Sequence, residues 1–307
     1  MKKEIFSYKP EPGVEIKYLR WLPDIKARAT LQVVHGMAEH ASRYDEFARF
    51  MNANGYAVYA NDHRGHGHTA GSFENTGYFA KSKGWQKVVN DCKGLTEIIK
   101  KENSELPVYI LGHSMGSFIV RDIISQNGEN YKGAILSGTA WNPFMMLLSG
   151  RFVAKMQELF SGKKHRSKLL DKLSFGSFNK KFKPNRTQFD WLSRTPELVD
   201  RYVKDKFCGF ICTAGFFDDM FGGILKIQKK KVIKKTPSNL PILLACGEND
   251  PVGNFTEGVK EVYKKYKSCG IKDIELKIYF QGRHEIFNEI NRNEVYGDML
   301  RWMDFRL

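Results

Sequence analysis

YILGHSMGSFIV, Tyr109–Val120, is the stretch on which the reading of this chain turns. Ser114 stands there between Gly112 and Gly116, after the apolar run PVYIL and before SFIVRDIIS, whose apolar residues recur as on a helix. In a chain with 27 glycines the pattern G-x-S-x-G is weak by itself, and a small residue in a tight turn would explain it. Its setting gives it content. A strand, a sharp turn flanked by glycines and a helix form a nucleophile elbow, which raises the serine hydroxyl above the C-terminal edge of a sheet and points the helix N-terminus at developing negative charge.

A serine hydroxyl attacks only with a base beside it, and the base needs a carboxylate to orient it. With this elbow the order along the chain is serine, acid, histidine, each just past a later strand. GENDPVG follows PILLAC and offers Asp250, 136 residues after Ser114; GRHE follows IELKIYF and offers His284, 34 residues further on. Glu248 is a rival carboxylate close by in the same loop. The oxyanion formed on attack requires two backbone N–H donors, one on the residue after the nucleophile and one on the loop after an early strand. Met115 is the first, and Met37, in HGMAEH after ATLQVV, is the best candidate for the second.

Around the elbow, short strand-like runs rich in β-branched and aromatic residues (14–20, 29–35, 56–62, 107–113, 132–138) alternate with helix-like runs (44–55, 85–103). The same alternation resumes at 241–247 and 274–280 and ends on a helix near RNEVYGDMLRWMDF. Such alternation means βαβ units and a mainly parallel sheet. The segment between lacks strand runs. It reads as a helical insertion, residues 141–235, in a core domain formed by 1–140 and 236–307.

With 42% hydrophobic residues, 307 residues can bury a sizeable core, so a folded enzyme-sized domain is expected rather than a disordered chain. The net charge of +15 is concentrated: 141–235 holds 21 Lys and Arg against 8 Asp and Glu, and the remainder 28 against 26. Five scattered cysteines suit reduced thiols in a cytoplasmic protein, and MKKEIFSYKPEPG lacks the apolar run of a secretory signal. Neither Cys208 with Cys212 nor His63, His66 and His68 of HRGHGH has metal-site spacing, so no metal and no organic cofactor is expected; Asp62 is expected to pair Arg64.

HGMAEHASRY, GYAVYANDHRGHG, GHSMGS, GENDPVG and GRHEIFNE together resemble, in order, the blocks of the monoacylglycerol lipase and lysophospholipase branch of the α/β-hydrolases, and RTQFDWLSRTPELVDRYVKDKFCGF resembles that family's cap. The resemblance spans nearly the whole chain. It implies a mostly parallel eight-stranded sheet flanked by helices, with the cap inserted between strands six and seven. It also implies a Ser114–His284–Asp250 triad, Met37 in the oxyanion hole, and Glu39 and Arg43 at the polar end of the pocket. The substrate it implies is an ester with a single acyl chain, such as a monoacylglycerol or lysophospholipid.

Within the insertion, 142–160 places Met145, Leu148, Phe152, Met156 and Leu159 on one helical stripe, which either packs into a core or faces a membrane. The aromatic-rich stretch 207–224 is expected to wall an acyl tunnel, with Phe210 and Phe216 in contact with substrate. Basic runs beside these apolar helices suit transient contact with anionic membranes, and no nucleic-acid-binding motif accompanies them. Three other readings stand beside the lipid esterase: a short-chain carboxylesterase; an aminopeptidase, which would need an acidic anchor such as Glu39, Asp218 or Asp219; and a non-catalytic binding module. Dehalogenases and epoxide hydrolases of this fold carry aspartate at the elbow, which Ser114 excludes.

Overall fold

The computed structural model describes residues 2–307. Eight strands form one sheet: β1 Lys2–Glu11, β2 Val14–Leu22, β3 Ala29–Val34, β4 Tyr56–Asn61, β5 Val108–His113, β6 Gly133–Ser137, β7 Ile242–Gly247 and β8 Ile274–Tyr279. Their order is β1-β2-β4-β3-β5-β6-β7-β8, antiparallel from β1 to β4 and parallel from there on. The central strands are buried throughout, as strands covered on both faces must be. Helices Gly84–Glu102, Met115–Asn127 and Glu257–Ser268 pack on one face, and Asp45–Ala53 and Arg292–Asp304 on the other.

β1 was not among the runs expected to be strands. Six of the ten residues of KKEIFSYKPE are charged or proline, because it is an edge strand with one face in solvent; Phe6 and Tyr8 turn inward onto Tyr18, with ring centroids 5.5 and 6.1 Å away.

β3 and β5 are neighbours, but the chain leaves β3 toward β4 on one side and enters β5 on the other. Loops leaving a sheet at such a reversal diverge and open a crevice at the C-terminal strand ends. The β3 loop carries Gly36–Glu39, and β5 runs directly into Ser114.

A helical insertion follows β6 and returns to β7, forming a cap from Phe144–Ser161, Lys168–Phe175, Pro196–Lys204, Ala214–Ile227 and Lys230–Ile233. Ala214–Ile227 joins cap to core by lying against Gly84–Glu102 and Met115–Asn127. Helix Phe144–Ser161 packs on it through Leu147, Gly150 and Ala154, and a Cβ on Gly150 would come within 2.9 Å of the Phe221 ring. Its opposite stripe is therefore open to solvent, with Phe152 64% and Leu159 73% exposed beside Met145 and Leu148.

The β3 and β4 loops meet in a cluster of three histidines. The His35 and His63 ring centroids are 4.0 Å apart, His66 lies 5.3 Å from His35, and His35 Nε2 accepts the His63 N–H at 3.0 Å. Asp62 does not pair Arg64. Its carboxylate accepts the N–H groups of Ala41 and His68, while Arg64 makes a bidentate pair with Asp91 and reaches Glu11. Burial lowers all three histidines, His63 to about 3, His66 to about 4 and His35 well below its usual value.

Below the ordinary value of 6.5 the unfolded chain takes up protons that these buried rings refuse, so stability falls as pH drops from there toward the folded values. Each ring contributes about 1.4 kcal/mol per pH unit in that window. Asp219, raised by burial to about 6, works in the opposite sense, as do Glu39, Asp62, Asp91 and Asp171, which burial also raises. Removing one ring, as in His66→Phe, is thus expected to lessen the fall of the urea midpoint between neutral and mildly acidic pH relative to the native chain; an unchanged profile would contradict the neutral cluster.

Candidate active site

The elbow is held by close backbone contact. A Cβ on Gly116 would lie 1.9 Å from the Val34 carbonyl oxygen, and one on Gly112 would lie 2.4 Å from that of Gly116. The helix after β5 therefore presses directly on the end of β3, and the chain can turn into it only through Ser114 at φ 52° and ψ −121°. That conformation is strained for a residue with a side chain. The Ser114 N–H donates to the Ser137 carbonyl at 2.9 Å, which fixes the turn against β6.

Two further loops bring their residues to Ser114. Past β7, Asp250 is fully buried and accepts the Val252 N–H at 2.9 Å. Past β8, His284 places Nδ1 2.9 and 3.0 Å from the two Asp250 oxygens. Glu248 points away to solvent and accepts the Gln281 N–H at 3.0 Å. Burial lowers the His284 pKa, but the charge and hydrogen bond of Asp250 outweigh it, and the net shift is upward from 6.5. Ser114 and His284 line one cavity but make no hydrogen bond to each other, a contact that often closes only with substrate in place.

Met37 also lines this cavity, and among the described residues its N–H donates to no protein acceptor. Met115 opens the helix, where the first N–H groups lack intrahelical partners, and its side chain is buried behind the elbow.

Glu39 and Arg43 form a buried ion pair at the edge of this cavity. Glu39 Oε1 accepts the Gly36 N–H at 2.6 Å and the Tyr44 hydroxyl at 3.0 Å, and Oε2 accepts from Arg43 at 2.8 Å. Arg43 also bonds both Glu285 oxygens, at 2.6 and 2.7 Å, and lies over the Tyr202 ring. Burial raises the Glu39 carboxyl; Glu285, which burial would also raise, is held down to about 2 by Arg43. Arg43 sits behind the cavity wall, and Glu39 reaches the wall with its oxygens already bonded. The pair thus ties the loop of Met37 to the loop of His284.

The cavity encloses about 460 Å³ beneath the cap. Phe210 lines it together with Phe175, Phe189, Trp191 and Tyr202. Phe216 does not: it is fully buried and packs on Phe79 at 4.5 Å, because the helical part of 207–224 turns its aromatics onto the core. The cap is bonded to the site itself, through Tyr202 and the Gly209 N–H to the Ala38 carbonyl and through the Glu285 N–H to Leu192. Trp191, Tyr202 and Asp171 were invisible in sequence because the cap has no regular pattern to anchor a register, and Glu285, next to His284 in the core, because no local pattern shows that Arg43 reaches it. Among the described residues one group has metal-ligating atoms close together, His40, Asp205 and Cys208, within 4.8 Å; His40 Nε2 is bonded to Asp205.

The architecture is that of an α/β-hydrolase, with a serine at the elbow and a buried histidine–carboxylate pair facing the same cavity. A family model described as serine aminopeptidase, S33, matches residues 25–291. A monoacylglycerol lipase of Mycolicibacterium smegmatis is 30% identical over 295 residues, covering 95% of this chain and 93% of that one. The monoglyceride lipase of Homo sapiens is 28% identical over 291 residues, covering 93% and 86%. Among solved structures, a highly thermostable carboxyl esterase from Bacillus coagulans in complex with glycerol has a TM-score of 0.89 at 29% identity, covering 99% of this chain and 98% of that one. The chain belongs to the serine aminopeptidase S33 family of α/β-hydrolases.

Replacing Arg43 by methionine would leave Glu39 and Glu285 buried without their cation. The expected cost is about 3 to 5 kcal/mol of stability, measured by urea unfolding at neutral pH. The deficit is expected to shrink in acid, as the two carboxyls of the variant become protonated; a variant as stable as the native chain would contradict the buried clamp.

Proposed function

We propose that this chain hydrolyses carboxylic esters of lipids with a single acyl chain, monoacylglycerols or lysophospholipids, through an acyl-enzyme on Ser114. The observation that carries this reading is the buried His284–Asp250 pair facing the same apolar-walled cavity as Ser114. His284 takes the Ser114 proton through Nε2 as Oγ attacks the carbonyl carbon, and Asp250 holds the Nδ1–H tautomer and stabilises the imidazolium. The N–H groups of Met37 and Met115 receive the oxyanion, each worth about 3 to 4 kcal/mol of barrier. His284 then protonates the leaving alcohol, and water repeats the sequence on the acyl-enzyme.

The aminopeptidase reading is less well supported by the anchors considered for it. Glu39 is bonded to Gly36, Tyr44 and Arg43. Asp218 pairs Arg151 at 2.7 Å, Asp219 accepts the Gly84 N–H at 3.0 Å, and neither lines the cavity. The relatives named for monoacylglycerol and carboxyl esters favour the ester reading, which includes short-chain esters.

Contact with a membrane is part of the proposal. Among the described residues no helix is long and apolar enough to cross a bilayer. The cap presents Phe144, Met145, Leu148, Phe152, Leu159 and Phe160 to solvent on one helix, with Lys163, Lys164 and Arg166 just beyond it. Apolar burial with flanking cations is the composition of an interfacial surface.

Release of fatty acid from monoacylglycerols, lysophospholipids, short esters and aminoacyl amides, assayed in parallel, tests the activity. Ser114→Ala is expected to lose about five orders of magnitude or more of turnover and its labelling by a fluorophosphonate. Faster cleavage of aminoacyl amides than of esters would overturn the substrate class.

Because His284 must be neutral to accept the proton, kcat/KM is expected to rise with pH through an inflection above 6.5. Asp250→Asn removes the charge that raises His284, so the inflection moves to lower pH while the rate falls about 10⁴-fold. An inflection unmoved by that substitution would argue against the pair.

Sedimentation with liposomes is expected to carry down more protein when anionic lipid is present and less with Phe152→Glu. Equal binding to neutral and anionic vesicles would rule out the electrostatic part.

A further inference from the structure

The cavity that holds Ser114 and His284 has an electrostatic character opposite to that of the protein around it. The chain carries a net charge of +15, and 21 Lys and Arg lie in 141–235 alone. None of the chain's lysines or arginines lines the cavity; its acidic side chains are Glu39, Asp171 and Glu285. Glu39 and Glu285 are neutralised from behind by Arg43. Asp171 is different. Among the described residues its carboxylate has no hydrogen bond and no ion pair, although it is partly buried and burial raises its pKa.

Asp171 reaches the cavity by helix geometry. It stands one turn before Phe175 on Lys168–Phe175, so both face the same way, and both line the cavity. Phe175 stacks on Trp191 at 6.3 Å with planes 10° apart, and Trp191 lies 5.2 Å from the His284 ring. A row of aromatic rings thus runs from the base toward an unpaired carboxylate, with Phe189 and Tyr202 also on the cavity wall.

An alkylammonium group suits that end of the cavity. It is drawn to the carboxylate and to the negative faces of the rings together. An uncharged glycerol end gains only a hydrogen bond there, and an anionic phosphate meets carboxylates and no cation. We propose that Asp171, with Phe175 and Trp191, forms a subsite for a cationic group, so that the preferred ester carries a primary or quaternary ammonium on the part of the substrate that extends toward the cap. This rests on the ester-hydrolase reading and narrows its substrate class.

The test uses esters of one short acid in pairs, each matching a trimethylammonioalkyl alcohol with its uncharged tert-butyl isostere, over increasing spacer lengths that begin with choline. At the best spacer kcat/KM is expected to favour the cation by about tenfold or more. Asp171→Asn is expected to bring that ratio toward unity. Calorimetric binding of the same pairs to the Ser114→Ala chain should give the same ranking without turnover. Equal kcat/KM within every pair, or a ratio unmoved by Asp171→Asn, overturns the subsite and leaves ester hydrolysis standing. No turnover of any ester by the native chain overturns the ester reading instead, and the calorimetric ranking then decides the subsite alone.

Discussion

The contact between Gly116 and the end of β3 is the constraint from which the site follows. With no room for even a methyl group beside the Val34 carbonyl, the helix after β5 seats directly on the neighbouring strand. Seating it there forces the turn through a positive φ at Ser114, and the residue at that turn projects from the sheet edge instead of into it. The same closeness brings the β3 loop beside the serine: a Cβ on Gly36 would stand 3.1 Å from Ser114 Cβ. Presentation of the hydroxyl and proximity of the backbone donors are one event of packing.

A second interaction makes that geometry rigid. Arg43 joins Glu39, which grips the Gly36 N–H, to Glu285, the neighbour of His284. The loops after β3 and β8 are separated by several strands, and a bidentate guanidinium between two carboxylates fixes their distance where loop backbone alone would not. Tyr202 stacks on the same guanidinium and bonds to Ala38, so the cap is registered on this clamp as well. Glu39 and Arg43, which a family resemblance would put near a head group, hold the scaffold here through Gly36 and Glu285.

The cap carries two surfaces of opposite design. Outside, small residues pack the helix Phe144–Ser161 inward and leave large apolar side chains in solvent, amid most of the excess positive charge. Inside, the wall is aromatic and without cations. The two faces of the cap thus differ in charge, basic and apolar outside and without lysine or arginine inside.

The sequence by itself determined the sheet and the order of Ser114, Asp250 and His284, because those features are local: buried runs bounded by turns, and loops at strand ends. It named the solvent-facing stripe of the cap helix by period, but period cannot say which face is covered, and here Leu147 and Ala154 are buried while Phe144, Phe152 and Phe160 are not. It missed β1, because only Phe6 and Tyr8 mark its inward face within a run otherwise rich in charge. Only the tertiary structure decided that Asp62 caps loops while Arg64 turns to Asp91, that Phe216 is core, and that Arg43 is a clamp. It alone also left Asp171 without a partner. Each of these depends on which distant side chain arrives within about 3 Å, and hydrogen bonds and ion pairs are satisfied by proximity in space, which pattern along the chain does not encode.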